Sequence, residues 1–424
     1  MTLPGAPHIA YRDDELCIDG CSLNDLAGRF GTPLYVYSQD AMRAALAGYQ
    51  RALAGRDHLI CYSVKANSNL AVLQSLAQAG SGFDIVSGGE LDRVLAAGVA
   101  AERVVFSGVG KSRAEMRQAL MAGVFCFNVE SAAELEVLSQ VAVASGRTAQ
   151  VSLRVNPDVD AGTHPYISTG LKGNKFGIAH EQAVACYARA ASLPGLRVIG
   201  IDCHIGSQIA EIGPYLDTVD RILDLVDAVE ARGIAIHHLD LGGGLGITYT
   251  DEAPPSAEAL VKSLLARIDA RGHGHRKIMF EPGRSLVGNA GVLVSEVLYV
   301  KPGEQKNFCI VDAAMNDLLR PAMYQAWMGI VACRLRSEPA MLFDVVGPVC
   351  ESGDWLGRDR SLAVRAGDCV AVLSAGAYGM TMSSNYNSRG RAAEVMVSNG
   401  QAHLIRDREQ ARDLFSAEHL LPTG

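Results

Sequence analysis

Leu59-Ile60-Cys61-Tyr62-Ser63-Val64-Lys65-Ala66-Asn67 begins as an apolar and aromatic run and ends with a lysine in a polar loop. Leu59–Tyr62 is typical of a short buried β-strand. Lys65 therefore follows the end of a strand, which is where a barrel of alternating strands and helices carries its catalytic groups. A lysine held partly away from water can lose its proton and attack a carbonyl to form an imine. Because a lone lysine is usually a solvated surface residue, this interpretation depends on the rest of the chain.

The alternation of apolar strands with amphipathic helices continues beyond this stretch. Helical segments such as Leu70–Ala79 and Arg113–Ala122 separate most of the strands. The predicted strands are Leu59–Tyr62, Gly82–Val86, Val104–Ser107, Phe125–Val129, Gln150–Val155, Val198–Cys203, His238–Leu241 and Ile278–Phe280. This pattern predicts an α/β fold with a (β/α)₈ TIM-type barrel. An open, doubly wound sheet would show the same alternation, although no GxGxxG motif opens the first strand–helix unit.

The pattern changes after Arg284, where helical spacing fades and β-like runs follow. These runs are Val292–Val300, Asn307–Val311, Met341–Val346, Cys369–Leu373 and Ala393–Val397. Gly and Pro punctuate them, as in a C-terminal β-sandwich or β-barrel domain. The N-terminal pieces His8–Tyr11 and Leu16–Ile18 are expected to pair with this domain. We therefore predict a barrel domain over residues 37–285 and a β domain over residues 1–36 plus 286–424.

Composition excludes several classes of function. The 424 residues carry a net charge of −8, which gives no support for nucleic-acid binding. No apolar stretch is long enough to span a bilayer, and the N-terminus does not resemble a signal peptide. The ten cysteines include no CxxC pair, which fits reduced thiols in a cytoplasmic protein.

Two glycine-containing motifs follow the last two barrel strands. Gly242-Gly243-Gly244-Leu245-Gly246 and Glu281-Pro282-Gly283-Arg284 would lie at the same mouth as Lys65. Bare backbone amides can approach an anion closely, although glycine runs also form plain turns. Together with the guanidinium of Arg284 and the hydroxyl of Ser207, they predict a phosphate site.

A lysine that forms imines beside a phosphate site suggests pyridoxal 5'-phosphate. That cofactor needs an acidic partner at its ring nitrogen, and Glu281 is the best candidate, the alternative being a surface or helix-capping carboxylate. His204 could stack on the ring, although a hydrogen-bonded core histidine would look the same in sequence. No metal site is predicted.

Three stretches of the second domain carry further polar groups. Asn316–Tyr324 contains Arg320 and Tyr324, which suit the binding of a carboxylate. Cys350 and Glu351 lie in a tight loop, although an inert buried cysteine is the more common case. Tyr378 is presented by a glycine-flanked turn.

In this order, the motifs resemble the fold-type III pyridoxal-phosphate decarboxylases, and most closely the diaminopimelate decarboxylases. The resemblance covers nearly the whole chain. The similar motifs are Gly31–Tyr37, Tyr62–Asn67, Gly170–Gly177, His204–Gln208, Gly242–Gly246, Glu281–Arg284, Asn316–Tyr324, Cys350–Asp354, Gly376–Tyr378 and Ser383–Arg389.

The resemblance implies a role for each candidate residue. Lys65 would carry the cofactor, Glu281 would pair with its ring nitrogen and His204 would stack on its ring. The remaining implied cofactor contacts are Asp84, Ser207, Gly243, Gly244, Gly283, Arg284 and Tyr378. The implied substrate ligands are Arg284, Arg320, Tyr324, Glu351 and Tyr378, and the implied proton donor is Cys350. Cys350 and Glu351 would reach in from the second chain of a homodimer, so that both active sites are composite.

The implied reaction is decarboxylation of meso-diaminopimelate to L-lysine, the last step of lysine biosynthesis. A sister decarboxylase of ornithine, arginine or carboxynorspermidine would share Lys65 and Glu281, but should differ around Arg320 and Glu351. A relative that binds partners without the cofactor should have lost Lys65 or Cys350, and this chain has both.

Overall fold

The computed structural model describes residues 3–160 and 174–422. The chain divides into two compact units. The barrel unit comprises Arg43–Ile247 and Glu252–Leu286, and the β unit comprises Met1–Met42, Thr248–Asp251 and Val287–Gly424. Within the described ranges, no helix is long and apolar enough to cross a membrane.

The N-terminal strands form a small sheet of their own. The elements before the barrel are β1 (Ile9–Arg12), β2 (Glu15–Ile18), β3 (Cys21–Ser22), α1 (Leu23–Phe30), β4 (Leu34–Ser38) and α2 (Gln39–Ala52). β1, β2 and β3 pair with one another in antiparallel register, and an isolated bridge joins Glu15 to Arg334. As expected, these N-terminal pieces belong to the same unit as the C-terminal strands, and Ile9, Leu16 and Ile18 pack in its core. The strand pairing of β1, β2 and β3 is mostly local, although the Leu16 N–H donates to the Cys333 carbonyl oxygen at 2.8 Å.

The barrel unit alternates strands and helices as the sequence predicts. Its strands are β5 (His58–Ser63), β6 (Gly82–Ile85), β7 (Val104–Phe106), β8 (Cys126–Val129), β9 (Ala149–Asn156), β10 (Ile178–Ala179), β11 (Leu196–Asp202), β12 (His238–Asp240) and β13 (Lys277–Phe280). The helices between and after them are α3 (Leu70–Gln78), α4 (Gly88–Ala96), α5 (Arg113–Ala122), α6 (Ala132–Ala144), α7 (His180–Ser192), α8 (Gly213–Glu230), α9 (Ala257–Ala270) and α10 (Arg284–Val287).

Eight of these strands close into a parallel ring. Their order is β5-β6-β7-β8-β9-β11-β12-β13, and β13 pairs in parallel with β5, with Ile278 opposite His58. An open, doubly wound sheet is thereby ruled out, and the predicted TIM-type barrel is confirmed. Because all eight strands run the same way, their carboxyl ends meet at one mouth.

The barrel strands are apolar because both of their faces are covered. Cys61, Val105, Cys126 and Met279 belong to one buried apolar cluster. Helix starts are marked by side-chain caps; Ser112, for example, forms a reciprocal capping box with Glu115 at the start of α5. Such caps mark where the helices that follow the strands begin.

The β unit is built around one long strand. Its C-terminal elements are β14 (Gly291–Lys301), β15 (Asn307–Val311), α11 (Arg320–Tyr324), β16 (Ile330–Ala332), β17 (Met341–Val346), β18 (Trp355–Leu362), β19 (Cys369–Val372), β20 (Ala393–Ser398), β21 (Gln401–Arg406) and α12 (Ala411–Leu414). The main sheet has the order β18-β17-β15-β14-β4-β20-β21, and β19 pairs with both β14 and β16. Alternate residues such as Val292, Val294 and Val395 form its buried core.

The observed division differs from the predicted barrel domain of residues 37–285 in two places. Tyr37 and Ser38 belong to β4, which pairs antiparallel with β14 and parallel with β20, so the N-terminal boundary falls after Met42, inside α2. The loop Thr248–Asp251 groups with the β unit, where the Tyr249 ring lies beneath the Arg320 guanidinium, 4.8 Å from its centroid.

Candidate active site

Lys65 lies in a short 3₁₀ turn that directly follows β5 at the barrel mouth. Its Nζ donates to Asp84 Oδ2 at 3.0 Å, and Ser63 Oγ donates to the same oxygen at 2.9 Å. The Asp84 side chain is fully buried, whereas 40% of the Lys65 side chain is exposed. The amine is therefore held by a buried carboxylate on β6 while one side stays open to a ligand.

Glu281 is buried where β13 ends. Its Oε1 accepts hydrogen bonds from Asn128 Nδ2 at 3.0 Å and Ser107 Oγ at 3.4 Å. Burial raises the pKa of this carboxyl group well above its ordinary value, and the carboxyl groups of Asp240, Asp84 and Asp202 raise it further. Ionisation of this buried carboxyl group is unfavourable unless a positive charge lies nearby. A protonated ring nitrogen would supply that charge, and the two groups would share one proton.

His204 follows β11 and is held by the glycine turn. Its Nδ1 accepts a hydrogen bond from the Gly243 N–H at 3.1 Å. Burial holds its pKa well below the ordinary value, and the cations Arg154 and Lys65 lower it further. The ring is therefore neutral with its proton on Nε2, a flat surface suited to stacking on an aromatic ring.

Gly243 and Gly244 occupy positions where no side chain fits. A Cβ on Gly243 would lie 2.2 Å from the Glu281 carbonyl oxygen. Gly244 has φ +99°, and its Cβ would lie 2.4 Å from the Gly206 carbonyl oxygen. The bare backbone forms a cradle at the mouth, as expected for an anion site. Since the Gly243 amide donates to His204 in this structure, its contact with phosphate stays a prediction.

Arg284 and Ser207 meet as the sequence predicts. Nε and Nη2 of the buried Arg284 donate to Ser207 Oγ at 3.3 and 3.1 Å. Gly283 immediately precedes this arginine. A guanidinium and a hydroxyl beside the glycine cradle form a suitable site for a phosphate dianion.

The sequence interpretation gave no role to several barrel residues that support this site. Asn128 and Ser107 orient Glu281, and Arg154 Nη1 pairs with Glu130 Oε1 at 3.1 Å. Their positions at the ends of predicted strands were the feature of the sequence that could have indicated a role at the mouth. Of the motif Gly170–Gly177, residues 170–173 lie outside the described part of the chain; the Gly177 N–H donates to Glu130 Oε2 at 3.0 Å.

The predicted substrate ligands other than Arg284 lie in the β unit. Arg320 is buried at the start of α11, which also carries the partly exposed Tyr324. Tyr378 lies at φ +55° in its glycine-flanked turn. The structure therefore groups the predicted cofactor residues in the barrel unit, with the exception of Tyr378, and the additional substrate ligands in the β unit.

Cys350 and Glu351 are exposed on the loop that follows β17. The Cys350 N–H donates to Asn387 Oδ1 at 3.1 Å, and Tyr386 Oη donates to Glu351 Oε1 at 2.5 Å. The sequence interpretation missed this contact to Tyr386, although Tyr386 lies within the motif Ser383–Arg389. The alternative of a buried, inert thiol does not apply to Cys350.

Comparison with known proteins identifies the family of the chain. Residues 39–288 match the family described as "pyridoxal-dependent decarboxylase, pyridoxal binding domain". A diaminopimelate decarboxylase of Pseudomonas aeruginosa is 58% identical over 413 residues, which are 97% of this chain and 99% of that protein. The chain belongs to the diaminopimelate decarboxylase family.

Other members of the diaminopimelate decarboxylase family agree with this assignment. The protein from Vibrio cholerae is 54% identical, with 97% of this chain and 99% of that protein covered. The crystal structure of the M. jannaschii diaminopimelate decarboxylase, in co-complex with L-lysine, matches with a TM-score of 0.95 and 37% identity over 99% of both chains.

The cofactor of the family is pyridoxal phosphate, and the observed residues fit it. Lys65 offers an accessible amine, and Glu281 offers a buried carboxyl group to the ring nitrogen. Arg284, Ser207 and the cradle of Gly243 and Gly244 offer a cation, a hydroxyl and bare backbone to the phosphate.

Proposed function

We propose that this chain decarboxylates meso-2,6-diaminopimelate to L-lysine and carbon dioxide, the last step of lysine biosynthesis, with pyridoxal phosphate as cofactor. The observation that carries the proposal is that Lys65, hydrogen-bonded to Asp84, and the buried Glu281 lie at the same barrel mouth. The chain that contains them is similar over nearly its full length to diaminopimelate decarboxylases. The alternative, a sister decarboxylase of ornithine, arginine or carboxynorspermidine, is not favoured by these relatives.

Each barrel residue has a distinct task in this proposal. Bound pyridoxal phosphate supplies an electron sink for the electrons that the departing carboxylate leaves behind. Lys65 would hold the cofactor through its amine, and Glu281 would keep a proton at the ring nitrogen. His204 would cover one face of the ring, while Ser207 and Arg284 would bind the phosphate together with Gly243, Gly244 and Gly283.

The β unit supplies the substrate contacts in this proposal. Diaminopimelate carries an ammonium and a carboxylate at each end, so its distal centre needs both a cation and an anion. Arg320 and Tyr324 bind carboxylate, helped by Arg284 and Tyr378, and Glu351 binds the distal ammonium. The Cys350 thiol delivers a proton to the carbon that has lost its carboxylate.

We place the reaction in a homodimer in the cytoplasm. Cys350 and Glu351 are exposed on their own chain, which suits a loop that completes the partner's site. In a two-fold dimer each chain lends the same patch to the other. All ten cysteines are free thiols, which suits a reducing compartment.

The direct test of the reaction offers diaminopimelate, ornithine, arginine and carboxynorspermidine side by side to the purified holoenzyme. Mass spectrometry of the products and measurement of released carbon dioxide report the preferred substrate. We expect L-lysine from diaminopimelate, with the other three amino acids turned over poorly. Preferred decarboxylation of any of those three would overturn the substrate assignment.

Arg320→Ala and Glu351→Ala should each impair the use of diaminopimelate. Loss of one partner from a buried charge pair costs about 2–5 kcal/mol in binding, so we expect a large rise in KM. Steady-state kinetics with diaminopimelate measures this rise. Tyr386→Phe, which keeps the ring and removes the phenol that contacts Glu351, is the matched control and should have a smaller effect. Parental KM in both alanine variants would contradict the substrate contacts.

A mixture of Lys65→Ala and Cys350→Ala chains tests the composite site. Each pure homodimer should be nearly inactive. After the two variants are unfolded and refolded together, heterodimers contain one site with both lesions and one with neither, so about one quarter of the parental activity should return. If subunit exchange is demonstrated and activity stays at the level of the pure variants, the site is built within one chain.

A further inference from the structure

Three buried carboxyl groups lie together inside the barrel, and two of them have no role so far. Asp202 ends β11, Asp240 ends β12 and is its register partner, and Glu281 follows β13. Oxygens of the three groups lie within 4.8 Å of one another. The residues are 1%, 0% and 5% exposed, respectively. We call Asp202, Asp240 and Glu281 the carboxyl triad.

The triad contains oxygens that no donor reaches. Among the described residues, neither Asp202 Oδ1 nor Asp240 Oδ2 has a hydrogen-bond partner. Three buried carboxylates at this separation cannot all be ionised, because their charges repel in a medium of low dielectric constant. A proton shared between neighbouring carboxyl groups removes this repulsion and gives the unpaired oxygens a partner.

The charged groups around the triad favour retention of protons. Asp84 on β6 and Glu130 after β8 add negative charge, while Arg154 on β9 and Lys65 after β5 oppose it. Burial is the largest cause in each case; it raises the pKa of Asp240 to about 7 and the pKa values of Asp202 and Glu281 well above their ordinary range.

Asp240 is also linked to Glu281 through the backbone. Asp240 Oδ1 accepts the Gly242 N–H at 3.0 Å, and the Gly242 carbonyl oxygen accepts the Glu281 N–H at 2.7 Å. One carboxyl oxygen of Asp240 therefore fixes the turn that holds Glu281. The other, Oδ2, is buried and has no hydrogen-bond partner among the described residues.

We propose that Asp240, together with Asp202, is a positioning residue that acts through Glu281. It shares a proton with the Glu281 carboxyl group and so sets how strongly Glu281 holds a proton at the cofactor's ring nitrogen. This inference rests on the proposed role of Glu281.

A proton suits the triad better than a metal ion does. The Asn128 amide and the Ser107 hydroxyl both direct donors at Glu281, and the Gly242 N–H is directed at Asp240. Donors stabilise an anionic oxygen but repel a cation at the same place. Elemental analysis of the purified protein should find no stoichiometric divalent metal, and finding one would overturn the proposal.

The first test uses the protein stripped of cofactor. Asp240→Asn keeps an oxygen for the Gly242 N–H but cannot share an acid proton. An acid whose folded-state pKa is raised contributes stability that is present at low pH and lost as pH rises through the folded-state pKa. Relative to the parent, the melting temperature of Asp240→Asn should therefore rise between about pH 4, the ordinary pKa of an unfolded aspartate, and about pH 7, the raised pKa of Asp240 in the folded chain. Parallel curves for the parent and the variant would refute proton sharing; Asp202→Asn provides the same test if Asp240→Asn fails to fold.

The second test reads the ring nitrogen directly, in holoenzyme loaded with ¹⁵N-labelled pyridoxal phosphate. At a pH above the pKa of Asp240, the carboxyl triad of the parent carries more negative charge than the same site in the Asp240→Asn variant. The pH at which the ¹⁵N resonance reports loss of the ring proton should therefore fall in the variant, by about one unit. In a Glu281→Gln background the same substitution should cause no further shift, because Asp240 acts through Glu281.

The outcomes separate this inference from the proposed function. If Glu281→Gln leaves the ¹⁵N titration unchanged, the ring-nitrogen role of Glu281 is wrong. If Glu281→Gln changes the titration and Asp240→Asn does not, only the role of Asp240 is wrong. Asp317→Asn is the matched control, since Asp317 is a buried acid of the β unit with its pKa raised to about 6. It should alter the pH dependence of stability without moving the ¹⁵N resonance.

Discussion

Lys65→Ala is expected to lose at least about 10³-fold in kcat/KM for diaminopimelate, because in the proposed function its amine is the group that holds the cofactor. The variant should still fold, since 40% of the Lys65 side chain is exposed and the Asp84 carboxylate keeps its hydrogen bond from Ser63. Carbon dioxide release measures the loss of activity, and circular dichroism measures the retained fold.

Two further variants control the Lys65 experiment. Lys65→Arg keeps a cation beside Asp84 but lacks a primary amine, so it should be as inactive as the alanine variant. Lys262→Ala removes an exposed lysine that pairs with Glu258 on α9 and should leave activity unchanged. Substantial turnover by Lys65→Arg would show that charge, not the amine, is what the site requires.

Glu281→Gln is expected to retain the cofactor and to lose about 10²–10³-fold in kcat. The amide still has an oxygen for Asn128, but it has no negative charge to keep a proton at the ring nitrogen. Bound cofactor is measured by visible absorbance and turnover by carbon dioxide release. Glu281→Asp, which keeps the charge on a shorter side chain, should fall between parent and Gln. Near-parental turnover by Glu281→Gln would contradict the ring-nitrogen role.

The barrel could be predicted from the sequence because its strands are covered on both faces. Strands such as β7 therefore appear as continuous apolar runs with sharp ends, and the residue after each end could be assigned to the mouth. Lys65, Glu281 and Arg284 were found in this way, by position along single strands. Their neighbours Asp84 and Ser207 followed from the same rule.

Contacts between distant segments could not be predicted by that rule. β18 carries Arg358, Asp359 and Arg360, so no apolar pattern marks it as a strand. β4 enters the main sheet between β14 and β20, a pairing that depends on tertiary structure. The contact of Tyr386 with Glu351 joins residues 35 positions apart, and no local pattern indicates it.

The carboxyl triad shows the same limit inside the barrel. Asp202 and Asp240 lie within the predicted strands Val198–Cys203 and His238–Leu241, and the sequence pattern gave neither of them a role. Only the register between β11 and β12 brings the two side chains together. Proton sharing depends on the distance between the carboxyl groups and on their burial. Neither the distance nor the burial can be derived from residue type alone.

Borohydride reduction of the holoenzyme, followed by proteolysis and mass spectrometry, tests the central claim most directly. Reduction fixes the cofactor permanently to the amine that holds it. We predict one modified residue per chain, in the peptide that contains Lys65, and no modification in Lys65→Ala. Attachment of the cofactor to any other lysine, in the parent or in the variant, would contradict the assignment of this barrel mouth as the active site.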